Sequence, residues 1–213
     1  MSKAVRDKWK VKKWYQVQAP PLFGNIVLGV TPADEPGKLL GRVIETTLFD
    51  ITGDLTYGHV KLYFQIVKVE GSTAMTRFKG HELLRDYVRS LTRRRSSKVT
   101  AIVDLWTKDG YGLRLTTVAW TRFKCQTSQQ RAIRRAMREL LVERAKEMTL
   151  DELIMGVIYG DRQGSLPQQA EPVVRRVYPM RKIEIVKSKL LWVPGPGGPE
   201  KAVVISPVER RAA

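Results

Sequence analysis

Along the first half of the chain the apolar positions recur every second residue. From His59 to Val69, Val60, Leu62, Phe64, Ile66 or Val67, and Val69 fall on one side, with Lys61, Gln65 and Lys68 mostly on the other. That period predicts a strand with one buried face. Arg42 to Phe49 is a second strand, rich in β-branched residues, and Asp50-Ile51-Thr52-Gly53-Asp54 after it is turn chemistry. Val99 to Thr107 and Leu113 to Phe123 flank Asp109-Gly110, whose residues tolerate positive φ, and this predicts a hairpin. Asn25 to Phe123 therefore reads as mainly β.

Helical periodicity interrupts and then follows the strands. Leu83, Leu84, Tyr87, Val88 and Leu91 share a stripe, which predicts a helix from Glu82 to about Arg94. Thr127 to about Lys146 is the clearest helix, with Thr127 as a cap and Gln130 closing a capping box. Ile133, Met137, Leu140 and Leu141 line one arc of it; Arg131, Arg134, Arg135 and Arg138 line the opposite arc. Thr149-Leu150-Asp151-Glu152 opens a further helix that stops at Gly160. Asp161 to Pro172 is polar and reads as a loop, and Val173 to Trp192 as strand broken by Pro179.

The result is an α+β chain with three regions: a basic aromatic arm (1–21), a core (22–192) and a Pro/Gly-rich tail (193–213) without a core of its own. With 213 residues and 43% hydrophobic content the chain can fold, burying roughly 70% of the surface its unfolded form exposes. The arm alternates Lys8, Lys10, Lys12 and Lys13 with Trp9, Val11, Trp14 and Tyr15 and ends at Pro20-Pro21. Two readings stay open for it: a segment that pairs with phosphates and stacks on bases, or an amphipathic strand that tucks its tryptophans into the domain.

Charge narrows the function. Lys plus Arg number 38 against 21 Asp plus Glu, a net +17. The excess is segregated: residues 1–14 carry +5, 77–98 +6, 120–147 +5 and 175–189 +5, leaving −4 for the remainder. Segregated positive charge is the footprint of a protein that lies against nucleic acid. Four arginines precede the first acid of the Thr127 helix, and guanidinium geometry suits phosphate. Arg93-Arg94-Arg95 followed by Lys98 exceeds what neutralising a helix C-terminus requires.

Enzymatic chemistry finds little support. One cysteine, Cys125, excludes a disulfide framework and a cysteine-based zinc site and fits a reducing cytoplasm. No apolar run is long enough to cross a bilayer, and neither a phosphate loop nor a His-Glu-x-x-His motif is present. The two histidines, His59 and His81, lie in different segments, and His59 reads as a packing or surface residue. Glu45, Asp50 and Asp54 form the best catalytic candidate, three carboxylates that could hold magnesium beside a phosphodiester. Turn chemistry for the two aspartates and ion pairing for Glu45 explain them better. No cofactor or metal is expected.

Several segments resemble a known family, the S-three-A (S-three-Ae) family of archaeal and eukaryotic small-subunit ribosomal proteins. The most specific is Leu39-Leu40-Gly41-Arg42-Val43-Ile44-Glu45-Thr46-Thr47-Leu48-Phe49-Asp50-Ile51, with Ile51 where leucine is expected. Lys8 to Tyr15, His59 to Gln65, Thr76 to His81, Arg93 to Lys98, Gln129 to Arg135 and Tyr178 to Lys182 also match. The short tail points to the archaeal type. The resemblance implies a barrel-like, mainly antiparallel β domain with about three flanking helices. It also implies a non-enzymatic place on the small-subunit platform near the mRNA exit site, in the cytoplasm, with rRNA, neighbouring ribosomal proteins and mRNA near the exit as partners. RNA-binding candidates are Lys8, Trp9, Lys10, Lys12, Lys13 and Trp14; Arg77 and Lys79; Arg93, Arg94, Arg95 and Lys98; Arg131, Arg134, Arg135 and Arg138; and Arg181 and Lys182. The rival functions are a metal-dependent RNA-processing enzyme and a free RNA-binding translation factor.

Overall fold

Alternating runs become long strands. The computed structural model describes residues 9–159, 165–195 and 197–202; Lys8, the Gly160 stop and the tail beyond residue 202 lie outside them. The His59–Val69 run forms β4 (Val60–Glu70), which turns back into β5 (Thr73–Leu83) through Gly71 at φ 58°. The Asp109-Gly110 hairpin joins β6 (Lys98–Trp106) to β7 (Gly112–Thr121), with Gly110 at φ 78°. Added to these are β1 (Lys13–Gln18), β2 (Val27–Ala33), β3 (Val43–Thr47), β8 (Met180–Gly195) and β9 (Gly198–Lys201). Together they make one nine-stranded mixed sheet, whose main path runs β2-β1-β5-β8-β7-β6. Strand β4 takes the other edge of β5, β3 pairs with β4 and β9 pairs with β8. Only the β1–β5 ladder is parallel among those described. The ladders leave β2, β3, β6 and β9 as edges, so the sheet is open where a barrel-like closure was expected.

Among the described residues five α-helices accompany the sheet: α1 (Leu48–Thr52), α2 (Arg85–Leu91), α3 (Thr127–Glu147), α4 (Leu150–Ile158) and α5 (Leu166–Arg175). The apolar stripe of α3, Ile133, Met137, Leu141 and Ala145, is buried against β6–β8, α4 and α5. Val99, Ala101, Val103 and Leu105 alternate inward from β6 to meet it. A second cluster gathers Phe23, Leu48, Leu62, Phe64 and Phe78 with Ile154 and Ile158 of α4. Burying one such side chain fully stabilises by about 1.5–3 kcal/mol, so these clusters fix the sheet on which the basic residues sit.

The structure departs from the expected elements in four places. The helix expected from Glu82 begins only at Arg85, because His81, Glu82 and Leu83 pair with Leu62, Lys61 and Val60 of β4. The expected turn at Asp50 is the short helix α1, where Thr47 Oγ1 and Asp50 form a capping box. The cap of α3 is Gln126, not Thr127; its box closes with Gln129. The expected loop at 161–172 is helical from Leu166, and the strand expected from Val173 starts only at Met180. Pro167 occupies the first turn of α5, where a missing N–H is harmless, and Leu166, Ala170 and Val174 recur at i, i+4, i+8. The tail's first residues fold back as β9 and bury Ala202.

Both histidines are structural. His59 stacks on Tyr87 at 3.9 Å. His81 is buried, with Nε2 2.9 Å from the Ile185 carbonyl oxygen and Nδ1 2.6 Å from Ser188 Oγ. A carbonyl only accepts, so Nε2 carries the proton and Nδ1 accepts from the serine. Burial pushes the His81 pKa down to about 4, against the weaker upward pull of the Ile185 bond and Glu82.

Candidate nucleic-acid interface

Arginines collect at one end of β6, β7 and β8. The chain leaves α2 and passes Arg93, Arg94 and Arg95, all exposed, with Arg95 in the left-handed region at φ 60°. Both ends of this turn are anchored. Trp120, fully buried, donates its indole N–H to Thr92 Oγ1 at 3.0 Å. The Ser97 N–H donates to Thr121 Oγ1 at 2.8 Å, and the Cys125 N–H donates to Ser97 Oγ at 3.1 Å. Because Cys125 directly precedes Gln126, the cap of α3, the arginine turn and the start of α3 are neighbours. Lys98 opens β6 opposite Trp120, which stands opposite Lys182 of β8.

On α3, Arg131, Arg135 and Arg138 are exposed and Arg134 is half-buried. The four line a shallow depression of about 470 Å³ together with Glu139. Arg134 is tied to the sheet, donating from Nε to the Thr100 carbonyl at 3.1 Å. Arg135 pairs with Glu139 at 2.8 Å, the i, i+4 bond typical of a solvated face. Both groups are largely exposed, so water screens the pair and a phosphate can displace it.

Two sequence candidates turn inward. Arg77 is half-buried and donates to the Ala202 carbonyl at 2.8 Å; burial pulls its pKa down. Lys182 bonds Glu184 and the Tyr87 hydroxyl, each at 2.8 Å. Burial alone would lower the Lys182 pKa, but these two partners outweigh it and hold the ammonium charged. Both cations brace the fold. Arg181 is half-buried at the start of β8.

The arm candidates lie elsewhere, on and before β1, which β5, β8 and β7 separate from β6. Strand β1 buries Tyr15 and Val17 and leaves Trp14 62% exposed, so the strand is amphipathic but its tryptophan faces out. Trp9 is 64% exposed, with Lys12 Nζ 3.8 Å from its ring centre. Lys10 and Lys13 are exposed, as is Lys79 on β5.

The carboxylates considered for catalysis are otherwise engaged. Glu45 pairs with Lys61 at 2.9 Å, Asp50 closes the α1 box and Asp54 accepts from the Thr56 N–H at 2.9 Å. Bonds from the Thr47 backbone and hydroxyl hold the Asp50 pKa low. Among the described residues, no three His, Cys, Asp or Glu side chains converge as a metal site, and no helix is long and apolar enough to cross a membrane.

One basic-aromatic run escaped sequence reasoning. Arg122, Phe123 and Lys124 are exposed between β7 and α3, beside the arginine turn, and Arg122 approaches the Phe123 ring at 5.7 Å. Its signal was the alternation of cation and aromatic that marked the arm.

Residues 1–194 match the Ribosomal S3Ae family. A small ribosomal subunit protein eS1 of Aeropyrum pernix is 64% identical over 205 residues, 96% of each chain. The protein of that name from Staphylothermus marinus is 59% identical over 97% of this chain and 95% of its own. One from Methanopyrus kandleri is 47% identical over 93% of this chain and 94% of its own. The chain belongs to the Ribosomal S3Ae family.

Proposed function

We propose that this chain is a structural, non-catalytic constituent of the small ribosomal subunit, bound to rRNA on the platform near the mRNA exit site of cytoplasmic ribosomes. The observation that carries the reading is the anchored arginine turn beside the arginine face of α3. Two elements fixed by buried contacts present six guanidinium groups, Arg93 to Arg95 and Arg131, Arg135 and Arg138, outward at one end of the sheet. Rigid, exposed cations neutralise phosphates without the entropic cost of ordering a loop. Family membership supports the assignment to the ribosome rather than to a free RNA-binding factor. The outward Trp9 and Trp14, with Lys10, Lys12 and Lys13, form a second contact for single-stranded segments, including mRNA near the exit. Neighbouring ribosomal proteins complete the setting.

The test is binding of the full chain to a small-subunit rRNA fragment across salt. Neutralising about eight phosphates lowers affinity by three or more orders of magnitude between about 0.05 and 0.2 M salt. Affinity indifferent to salt overturns the reading.

A further inference from the structure

A groove crosses the outward face of β3, β4, β5 and β8. Register puts Glu45, Tyr63, Gly80 and Lys189 in one row of that face, and Thr47, Lys61, Glu82 and Lys187 in the next. The charges are not evenly matched. Lys61 pairs with Glu45 at 2.9 Å and Lys187 with Glu82 at 2.6 Å. Lys79 sits in the bulge of β5 between Phe78 and Gly80, and Lys189 faces it from β8 across the Gly80 position. Both are exposed, and neither makes an ion pair among the described residues.

Gly80 shapes the floor. A Cβ there would collide with the Ser188 carbonyl oxygen of β8, the strand paired beside β5 at this point. The row therefore has no side chain between the Tyr63 ring and Lys189. What results is a cavity of about 440 Å³ lined by Val43, Tyr63, Gly80 and Leu191 together with Lys79 and Lys189. A floor without a side chain at Gly80, beside a half-buried aromatic ring and two lysines outside any ion pair among the described residues, fits a ligand that is planar at one end and anionic at the other. Glu45 and Glu82 on the same face disfavour a ligand that offers negative charge alone.

We propose that this groove holds one extruded nucleotide of single-stranded RNA, its base against the Tyr63 ring and its phosphate on Lys79 and Lys189. Splayed bases stacked on an aromatic, with cations on the adjoining backbone, are how single-stranded RNA is read. The inference rests on the reading that the chain binds RNA, and adds to it a site on β3, β4, β5 and β8 distinct from the α3 end of the sheet.

The experiment measures binding of fluorescein-labelled octaadenylate and of a blunt RNA duplex to the full chain. Variants are Tyr63→Leu, Tyr63→Phe, Lys79→Gln with Lys189→Gln, and Arg131→Gln with Arg135→Gln and Arg138→Gln. Tyr63→Leu weakens octaadenylate binding by about tenfold and leaves the duplex unchanged, whereas Tyr63→Phe keeps both. The double lysine variant flattens the octaadenylate salt slope by about 1.4; it leaves the core intact and carries the test if Tyr63→Leu does not fold. Octaadenylate affinity unaltered in both groove variants, while the arginine variant weakens the duplex, overturns the groove and spares the wider reading. A parent protein that binds neither RNA overturns both. Octaglutamate competing as well as unlabelled octaadenylate also overturns the proposal, since the groove would then read charge without a base.

Discussion

Changing Arg131, Arg135 and Arg138 together to Gln separates binding from folding. All three are exposed, and the stripe that holds α3 to the sheet, Ile133, Met137, Leu141 and Ala145, is untouched. Arg134 is kept because its bond to the Thr100 carbonyl joins α3 to β6. Gln and Arg have similar helix propensities, so the melting temperature moves by no more than about 2 °C. Each lost phosphate contact flattens the salt slope by about 0.7–0.9, so the triple variant loses about 2–2.7. At about 0.1 M salt that is a weakening of about 100- to 500-fold. Fluorescence anisotropy with an rRNA fragment across the salt series measures both quantities. An unchanged slope with an intact fold refutes the assignment of this face to phosphate, and collapse of the fold shows that the arginines are structural.

Other outcomes follow from the same contacts. Thr92→Val leaves the Trp120 indole N–H buried without its acceptor, costing about 1–3 kcal/mol, and loosens the arginine turn; chemical denaturation and rRNA affinity should both fall. Gln129→Ala removes the acceptor of the Gln126 N–H and should cost about 0.5–1.5 kcal/mol, and Thr127→Ala much less, because the cap lies at 126. His81 is neutral in the fold with a pKa of about 4 against 6.5 when unfolded. The unfolded chain therefore binds the extra proton first, and stability is lost as pH falls from about 6.5 to 4, by about 3 kcal/mol. Denaturant midpoints of the parent should show this excess loss over His81→Gln across that window. Finally, a resident protein stays on purified small subunits through a high-salt wash that strips visiting factors; release with the factors contradicts a structural role.

Strands were legible where apolar residues alternate or cluster along the sequence between turn signals: β4, β6 and β7 fall within a residue or two of their expected ends. The same holds for α3, whose apolar and arginine arcs are both periodic. Sequence could not show that His81 to Leu83 extend β5, since that depends on β4 and β8, distant in sequence, supplying partners. Helix α5 was masked by its prolines and polar residues, although its inward Leu166, Ala170 and Val174 keep the helical spacing. At the interface, charge and face predicted exposed Arg93 to Arg95, Arg131, Arg135 and Arg138. Charge alone could not tell them from Arg77 and Lys182, whose acceptors, Ala202 and Glu184 with Tyr87, are set by tertiary contacts. The groove over Gly80 was invisible for the same reason: four strands build it.

Ultraviolet crosslinking of purified small subunits, read by mass spectrometry of this chain, tests the central claim most directly. Peptides spanning residues 92–98 and 127–139 should carry nucleotide adducts and lose the reactivity to arginine reagents that they show in the isolated protein. Adducts absent from both peptides, with their arginines as reactive in the particle as in free solution, would contradict the account.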